Sequence, residues 1–320
     1  VINGAAGTGK TMIAVEKAQR HALSGEKVLF LCYNNQLKNY LSENYAHDNI
    51  DYYTISGYAC KLCDSTVPNY EKMQTRLEDM YVFGTFPYDH IVIDEGQDFG
   101  IEDVEEADVI ITLKSIIEDT KPDTSSFYIF YDKLQLVQSS QIPKYIEEAD
   151  CKLTLYRNCR NTENIATTSL APITERTPKL IDGCVKGAPA KLHFCTDEVA
   201  VIAKLNLLLD TFKGQGVKDI VILTCKTETT SILSDATSNG VYRNKYRFST
   251  CRKFKGLEAD AVILVDVDAE TFTDNNILLY YVGTSRARLW LDIITTMDSE
   301  ACTDVLQDAF EKKGHIRSPQ

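Results

Sequence analysis

The chain has 320 residues, which at about 150 residues per domain predicts two domains. Its 44% apolar and 25% charged residues match a soluble globular protein and exclude a disordered chain, a collagen and a coiled coil. The net charge of −12 excludes a generic nucleic-acid coat, so any nucleic-acid contact must be local.

No apolar run approaches the ~18–20 residues that cross a bilayer, and no cationic-then-apolar leader opens the chain. The start at Val1, in an apolar triplet just before a glycine loop, reads as a strand cut in its middle and predicts a longer parent chain. Ten scattered cysteines read as reduced thiols of a cytoplasmic protein. Cys60 and Cys63 form one C-x-x-C without the second pair that a zinc ribbon needs, so they read as two thiols on one helix face.

In chain order, short apolar runs of strand length at residues 1–3, 27–33, 90–95 and 127–132 alternate with amphipathic stretches such as Thr11–Leu23 and Asn35–Tyr45. Residues 64–88 have weak periodicity and predict a small excursion from the first domain. Further runs follow at residues 152–156, 191–194, 219–224, 261–267 and 289–295. Strand–helix alternation predicts α/β domains with parallel sheets covered on both faces. Residues 1–150 carry 12 basic and 25 acidic side chains, a net −13, while residues 151–320 carry 22 and 21, a net +1. That shift predicts domains of 1–150 and 151–320.

Gly4-Ala5-Ala6-Gly7-Thr8-Gly9-Lys10-Thr11 fits G-x-x-x-x-G-K-S/T between a strand and a helix, the context that the motif requires. Its glycines let backbone N–H groups turn inward around phosphate oxygens, aided by the helix dipole. Lys10 would reach the β- and γ-phosphates and the Thr11 hydroxyl would bind Mg²⁺. A second run, His90-Ile91-Val92-Ile93-Asp94-Glu95, ends a strand in two carboxylates, where α/β sheets bind ligands. Asp94 could hold Mg²⁺ through water, and Glu95 could polarise the attacking water as general base.

With Gly96-Gln97-Asp98 added, the sequence resembles the superfamily 1 helicases of the UvrD/Rep type, whose second motif reads DEAQD. Other motifs follow in order over almost the whole chain. Leu31-Cys32-Tyr33-Asn34-Asn35 looks like the motif after the second strand, and Tyr53-Thr54-Ile55-Ser56-Gly57 like a stretch that touches single strands. Tyr131-Asp132-Lys133-Leu134-Gln135 resembles G-D-x-x-Q, with Tyr131 in place of Gly. Asn158-Cys159-Arg160-Asn161-Thr162 resembles N-Y-R-S-T. Residues 250–258 resemble T-x-H-x-x-K-G-L-E, with Arg252 in place of His, and residues 281–288 resemble Y-V-A-L-T-R-A. The wording CRNT, FKGLE and YVGTSRA is similar above all to the compact helicase-like domains of NERD-associated proteins, and more distantly to the schlafen helicase-like module.

The resemblance implies two RecA-like P-loop domains with parallel sheets and ATP in the cleft between them. It implies that Gln135 senses the γ-phosphate. Arg160 and Arg286 would stabilise the charge that develops on the leaving phosphoryl group; an ordinary salt bridge or helix cap is the alternative for each, and a surface role is read for Arg288. Gly256 and Glu258 would meet the nucleotide's ribose or phosphates, unless Glu258 is a strand-end carboxylate with no ligand. Asn34 and Thr54 would contact nucleic acid. Met12 and Cys159 stand where UvrD-type enzymes hold adenine between an Arg and a Tyr, so base selectivity is expected to be poor.

Arg243, Lys245, Arg247, Arg252, Lys253 and Lys255 put six cations among residues 243–255, interleaved with aromatics. Cations neutralise phosphates and aromatics stack on bases; a solvated hairpin is the competing reading. Arg243, Lys245, Thr250, Arg252 and Lys253 are the nucleic-acid candidates there. Only 52 residues separate Tyr33 from Phe86, and 89 separate Arg160 from Thr250. These spans leave little room for the large subdomains that grip duplex DNA in UvrD-type enzymes. Two functions remain: a nucleic-acid-dependent, Mg-ATP-hydrolysing helicase or translocase core acting on single-stranded DNA or RNA, or a nucleotide switch serving a partner or an upstream nuclease domain. A GTPase is disfavoured because no N-K-x-D stretch is present.

Overall fold

The computed structural model describes residues 1–99, 104–135, 143–173, 177–234, 246–273 and 276–297, with side chains of the second segment described from residue 107. The chain divides into two compact units, one of Val1–Ala5 with Gly9–Leu155, the other of Ala6–Thr8 with Tyr156–Gln320.

In the first unit the elements are β1 Ile2–Gly4, α1 Lys10–Leu23, β2 Val28–Cys32, α2 Asn35–Asn44, β3 Ile50–Thr54, α3 Ile55–Cys63, α4 Tyr70–Val82, β4 His90–Ile93, α5 Val104–Thr120, β5 Ser126–Tyr131, α6 Lys144–Glu147 and β6 Leu153–Leu155. Its sheet runs β3-β2-β4-β5-β1-β6, every neighbour parallel. The β2 run is wholly buried because helices cover both faces of a parallel sheet. β5 lies between β1 and β4, so the end of β5 falls between the phosphate-loop strand and the acidic strand.

The second unit holds α7 Glu163–Leu170, β7 Lys191–Phe194, α8 Glu198–Gly214, β8 Ile220–Thr224, β9 Arg247–Thr250, β10 Ala259–Val267, α9 Ile277–Thr284 and β11 Ala287–Thr295. Its sheet, β7-β11-β10-β8-β9, is parallel throughout. Both units thus have the α/β parallel-sheet architecture of RecA-like domains. No helix among the described residues is long and apolar enough to cross a membrane.

The structure departs from the sequence expectations at several elements. β3 and β9 carry no clear strand pattern in the sequence: Ile50–Thr54 mixes an exposed Asp51 into the run, and Arg247–Thr250 opens on a basic residue. The 64–88 stretch is no excursion. It forms α4, whose Met73 and Leu77 are fully buried in the first unit's core; two apolar anchors at i and i+4 leave only a faint period. The run at 152–156 supplies β6, which pairs with β1 in the first sheet. Cys60 and Cys63 both lie on α3 as free thiols.

Packing is tight at the end of β4. A Cβ on Gly96 would stand 2.3 Å from Ile129 Cγ2, and Ile129 is buried in β5. Overpacking of this kind costs about 1–3 kcal/mol. Gly96→Ala is therefore expected to lower the urea midpoint of unfolding; an unchanged midpoint would show that the turn can relax at no cost.

Candidate nucleotide site and nucleic-acid surface

In the first unit, β1 ends at the buried Gly4, and Gly9 caps α1 at φ 89°. That left-handed backbone favours glycine, and the cap makes no side-chain bond to the helix. The first-turn N–H groups therefore have no side-chain cap, the arrangement in which a helix receives an anion. Lys10 is buried and folds over its own loop, donating to Gly4 O at 2.7 Å and Ala5 O at 3.1 Å. Gly7, at φ 77°, and the buried Thr8 belong to the second unit. Met12 is 53% exposed, and its sulfur accepts from the Tyr45 hydroxyl at 3.6 Å.

Thr11 Oγ1 donates to Asp94 Oδ2 at 2.6 Å. Asp94 Oδ1 accepts the N–H of Glu95 at 3.0 Å, and Glu95 takes a left-handed φ of 58°. Glu95 Oε2 accepts from Gln97 Nε2 at 2.7 Å. Gln97 Oε1 in turn accepts the N–H of Asp132 at 2.9 Å. Asp132 closes the circuit: its Oδ2 accepts from Gln135 Nε2 at 2.6 Å and stands 3.7 Å from Lys10 Nζ. Thr11, Asp94, Glu95, Gln135 and Lys10 thus share one buried polar network. Burial, followed by the Glu95 carboxylate, pushes the Asp94 carboxyl up to about 6, against the pull of Thr11 and Lys10. A hydroxyl and a carboxylate side by side are hard oxygen donors suited to Mg²⁺.

Gln97 and Asp132 had no role in the sequence reading beyond motif membership. They join the ends of β4 and β5, neighbours only in the folded sheet. Tyr145, also missed, donates to Gly96 O at 2.8 Å and Phe99 O at 2.9 Å and so pins the acidic turn from α6. Asn34 and Thr54 lie at the carboxyl ends of β2 and β3. Each caps a helix, accepting from Leu37 N at 2.8 Å and Gly57 N at 3.0 Å.

In the second unit, Arg160 Nε pairs with Glu258 Oε2 at 2.5 Å. Arg288 reaches the same carboxylate at 3.3 Å and also pairs with Asp260 and Asp219. Glu258 therefore bridges two guanidinium groups, just after Gly256 at φ 84°. Arg286 is only 2% exposed and its Nε donates to Val282 O at 3.1 Å. The Arg160 and Arg286 segments are tied by a residue that the sequence reading passed over. Asn161 Nδ2 donates to Ser285 O at 2.9 Å and Ala287 O at 2.6 Å, while Asn158 Nδ2 donates to Asn161 Oδ1 at 2.8 Å.

Thr250, Arg252 and Lys253 line one cavity of about 650 Å³, together with Lys226, Thr227 and Asp268. Thr250 Oγ1 accepts the N–H of Lys253 at 3.1 Å; Lys253 Nζ pairs with Glu228 and Lys226 Nζ with Asp268. Arg247 is held by Asp219 at 2.7 Å and lies over the Phe254 ring, a structural use for one cation of the basic stretch. Arg243 and Lys245 lie outside the described residues.

Residues 245–294 match the family of UvrD-like helicase C-terminal domains. The chain resembles the UvrD-like helicases. Residues 1–124 match the family of the type III restriction enzyme res subunit, so helicase-superfamily sequence occurs in both halves. No curated protein matches the chain. Among solved structures, a PRRSV helicase aligns with 92% of this chain and 52% of its own at 15% identity and TM-score 0.47. Arterivirus nonstructural protein 10 (helicase) aligns with 93% of this chain and 60% of its own at 12% identity and TM-score 0.46. The chain therefore spans between about half and three-fifths of these proteins.

Proposed function

We propose that the chain is the Mg-ATP-hydrolysing core of a superfamily 1 helicase or translocase, driven by single-stranded nucleic acid. The observation that carries this reading is the buried network that links Lys10 and Thr11 of the phosphate loop to Asp94, Glu95, Asp132 and Gln135. Lys10 would exchange its loop carbonyls for the β- and γ-phosphates. Thr11 and Asp94 would hold Mg²⁺, which when bound neutralises charge on the phosphate oxygens. Glu95, oriented by Gln97, takes the proton of the attacking water. Gln135 senses the γ-phosphate, and Arg160 and Arg286 stabilise its developing charge. Gly256 and Glu258 attend the ribose or phosphates. Asn34, Thr54, Thr250, Arg252 and Lys253 contact the strand, with Arg243 and Lys245 beside them. We place the chain, within superfamily 1, nearest the compact NERD-associated form and in the cytoplasm.

One observation favours the switch reading. Between Tyr33 and Phe86 the chain is occupied by α2, β3, α3 and α4, and buried side chains of each join the first unit. That span leaves no room for a separate duplex-gripping subdomain, so a module that binds ATP for a nuclease domain or another partner remains the second reading.

Single-stranded DNA and RNA separate the two. Under the first reading either strand raises the ATPase rate and binding weakens steeply with salt. Arg252→Glu with Lys253→Glu should then flatten the salt slope by about one unit per lost phosphate contact. An unchanged slope would move the strand's path elsewhere, and no stimulation by either strand would favour the switch.

A further inference from the structure

The far end of α1 carries a cluster that the nucleotide chemistry does not use. Among the described residues, His21, Glu26 and His90 form a group whose three ligand-capable atoms lie within 4.8 Å of one another. Glu26 Oε2 stands 2.8 Å from His21 Nδ1 and 3.0 Å from His90 Nε2. The second ring nitrogen of His90 bonds Ser126 Oγ at 2.8 Å, and His21 Nε2 lies 3.5 Å from the same hydroxyl.

The backbone builds this group. α1 ends with Gly25 at φ 85°, its N–H donating to Ala22 O at 3.0 Å and that of Glu26 to His21 O at 3.1 Å. This is the Schellman closure, in which the residue after the glycine folds back on the third residue from the helix end. That contact is commonly apolar; here it joins an imidazole to a carboxylate. His90 opens β4, and Ser126 is its register partner at the start of β5. Three elements of the first unit therefore deliver donors to one point.

We propose that His21, Glu26 and His90 bind a Zn²⁺ ion, with solvent as fourth ligand. Two imidazoles and one carboxylate are a donor set that zinc accepts in tetrahedral sites with an open position, and imidazole nitrogens disfavour Mg²⁺ and Ca²⁺. Ser126 supplies the outer hydrogen bond that fixes a ligating imidazole's tautomer. His90 is buried, whereas His21 and Glu26 are 19% and 38% exposed as side chains, which leaves an entry for the ion. With bonds of about 2.1 Å, tetrahedral ligands stand ~3.4 Å apart, so the two short contacts must open by a few tenths of an ångström. The imidazoles are stacked at 3.5 Å with 24° between planes. Near-parallel rings aim their lone pairs side by side, so His21, the more exposed of the two, must turn for both nitrogens to point at one ion. The ion would clamp α1 to β4 at the end opposite the Thr11–Asp94 bond.

The test is titration of the full chain with Co²⁺ and Zn²⁺, with Mg²⁺ in excess to occupy the nucleotide site. The expected result is one equivalent of Co²⁺ with the strong visible bands of a tetrahedral ion and no sulfur-to-cobalt band in the near ultraviolet. Zn²⁺ should displace it and raise the melting temperature. His21→Gln and Glu26→Gln, both at accessible positions, should each weaken binding by more than about tenfold, and Ser126→Ala by about 10- to 100-fold. Asp94→Asn should leave the Co²⁺ spectrum unchanged. Absence of a tetrahedral spectrum in the folded parent, equal uptake by folded His21→Gln, or a sulfur-to-cobalt band that marks a cysteine site would each overturn the proposal. The three groups would then be a self-sufficient hydrogen-bonded cluster.

Discussion

Glu95→Gln is expected to bind Mg-ATP with the parent's affinity and to hydrolyse it about 10²–10⁴-fold more slowly, the usual worth of a positioned general base. Glu95 is buried, lies one residue beyond Asp94 and is aimed by the Gln97 amide at 2.7 Å. A glutamine keeps the shape, and its amide oxygen can accept the same bond, so the fold should survive. What it cannot do is take a proton from water. Lys10→Ala should by contrast weaken binding as well as turnover. A single-turnover assay with a parallel binding measurement separates the two, and a Glu95→Gln rate equal to the parent's would remove Glu95 from the role of base.

The same substitution has a pH signature. In the folded chain Asp94 holds its proton up to about pH 6, against a reference of 3.8, because it is buried and because Glu95 stands beside it. The folded state thus binds more protons than the unfolded one between these values, and the stability from this group falls as pH rises through that window. Removing the Glu95 charge removes one of the two causes. Melts of Mg²⁺-free protein between pH 4 and 6 should show a shallower decline for Glu95→Gln.

Arg160→Ala should slow turnover by roughly 10³-fold if its guanidinium meets the charge that develops on the γ-phosphoryl group. ADP affinity should barely change, because ADP lacks that group. In the structure Arg160 is paired with Glu258, which provides the control. Glu258→Gln breaks the same ion pair and keeps the guanidinium; a partly exposed pair contributes at most about 1 kcal/mol of stability. If Arg160 served only to hold Glu258, the two variants would lose activity equally. A deficit in kcat at saturating ATP confined to Arg160→Ala assigns the effect to its charge, whereas loss of the Glu258 carboxylate's contact with the ribose or phosphates would show as a raised KM. Arg286→Ala is expected to lose a similar factor, read beside its melting temperature because Arg286 is buried.

Much of the candidate site was legible because its local geometry is set by contiguous residues. The glycines around Lys10 specify a tight turn into a helix, and Gly9 has the left-handed φ of 89° that such a turn uses. The apolar run from His90 to Ile93 specifies a buried parallel strand, so Asp94 and Glu95 had to fall at its carboxyl end. The α/β class followed from alternating periods of the same kind. Strands whose burial comes from tertiary neighbours were not legible: Arg247–Thr250 is a strand because β8 lies beside it, despite its basic lead residue.

By itself, then, the sequence determined the phosphate loop, the acidic strand end and two α/β halves, all products of short-range pattern. Only the tertiary structure decided how these parts are wired. The strand order β3-β2-β4-β5-β1-β6 leaves no trace in local periodicity, yet it brings Asp132 between Gln97 and Lys10. The pairing of Arg160 with Glu258, the Asn161 bridge to the Arg286 segment and the meeting of His21 and Glu26 with His90 have the same origin. Each joins residues distant in sequence, and a polar group's partner in a buried site is set by which strands and loops the sheet makes adjacent.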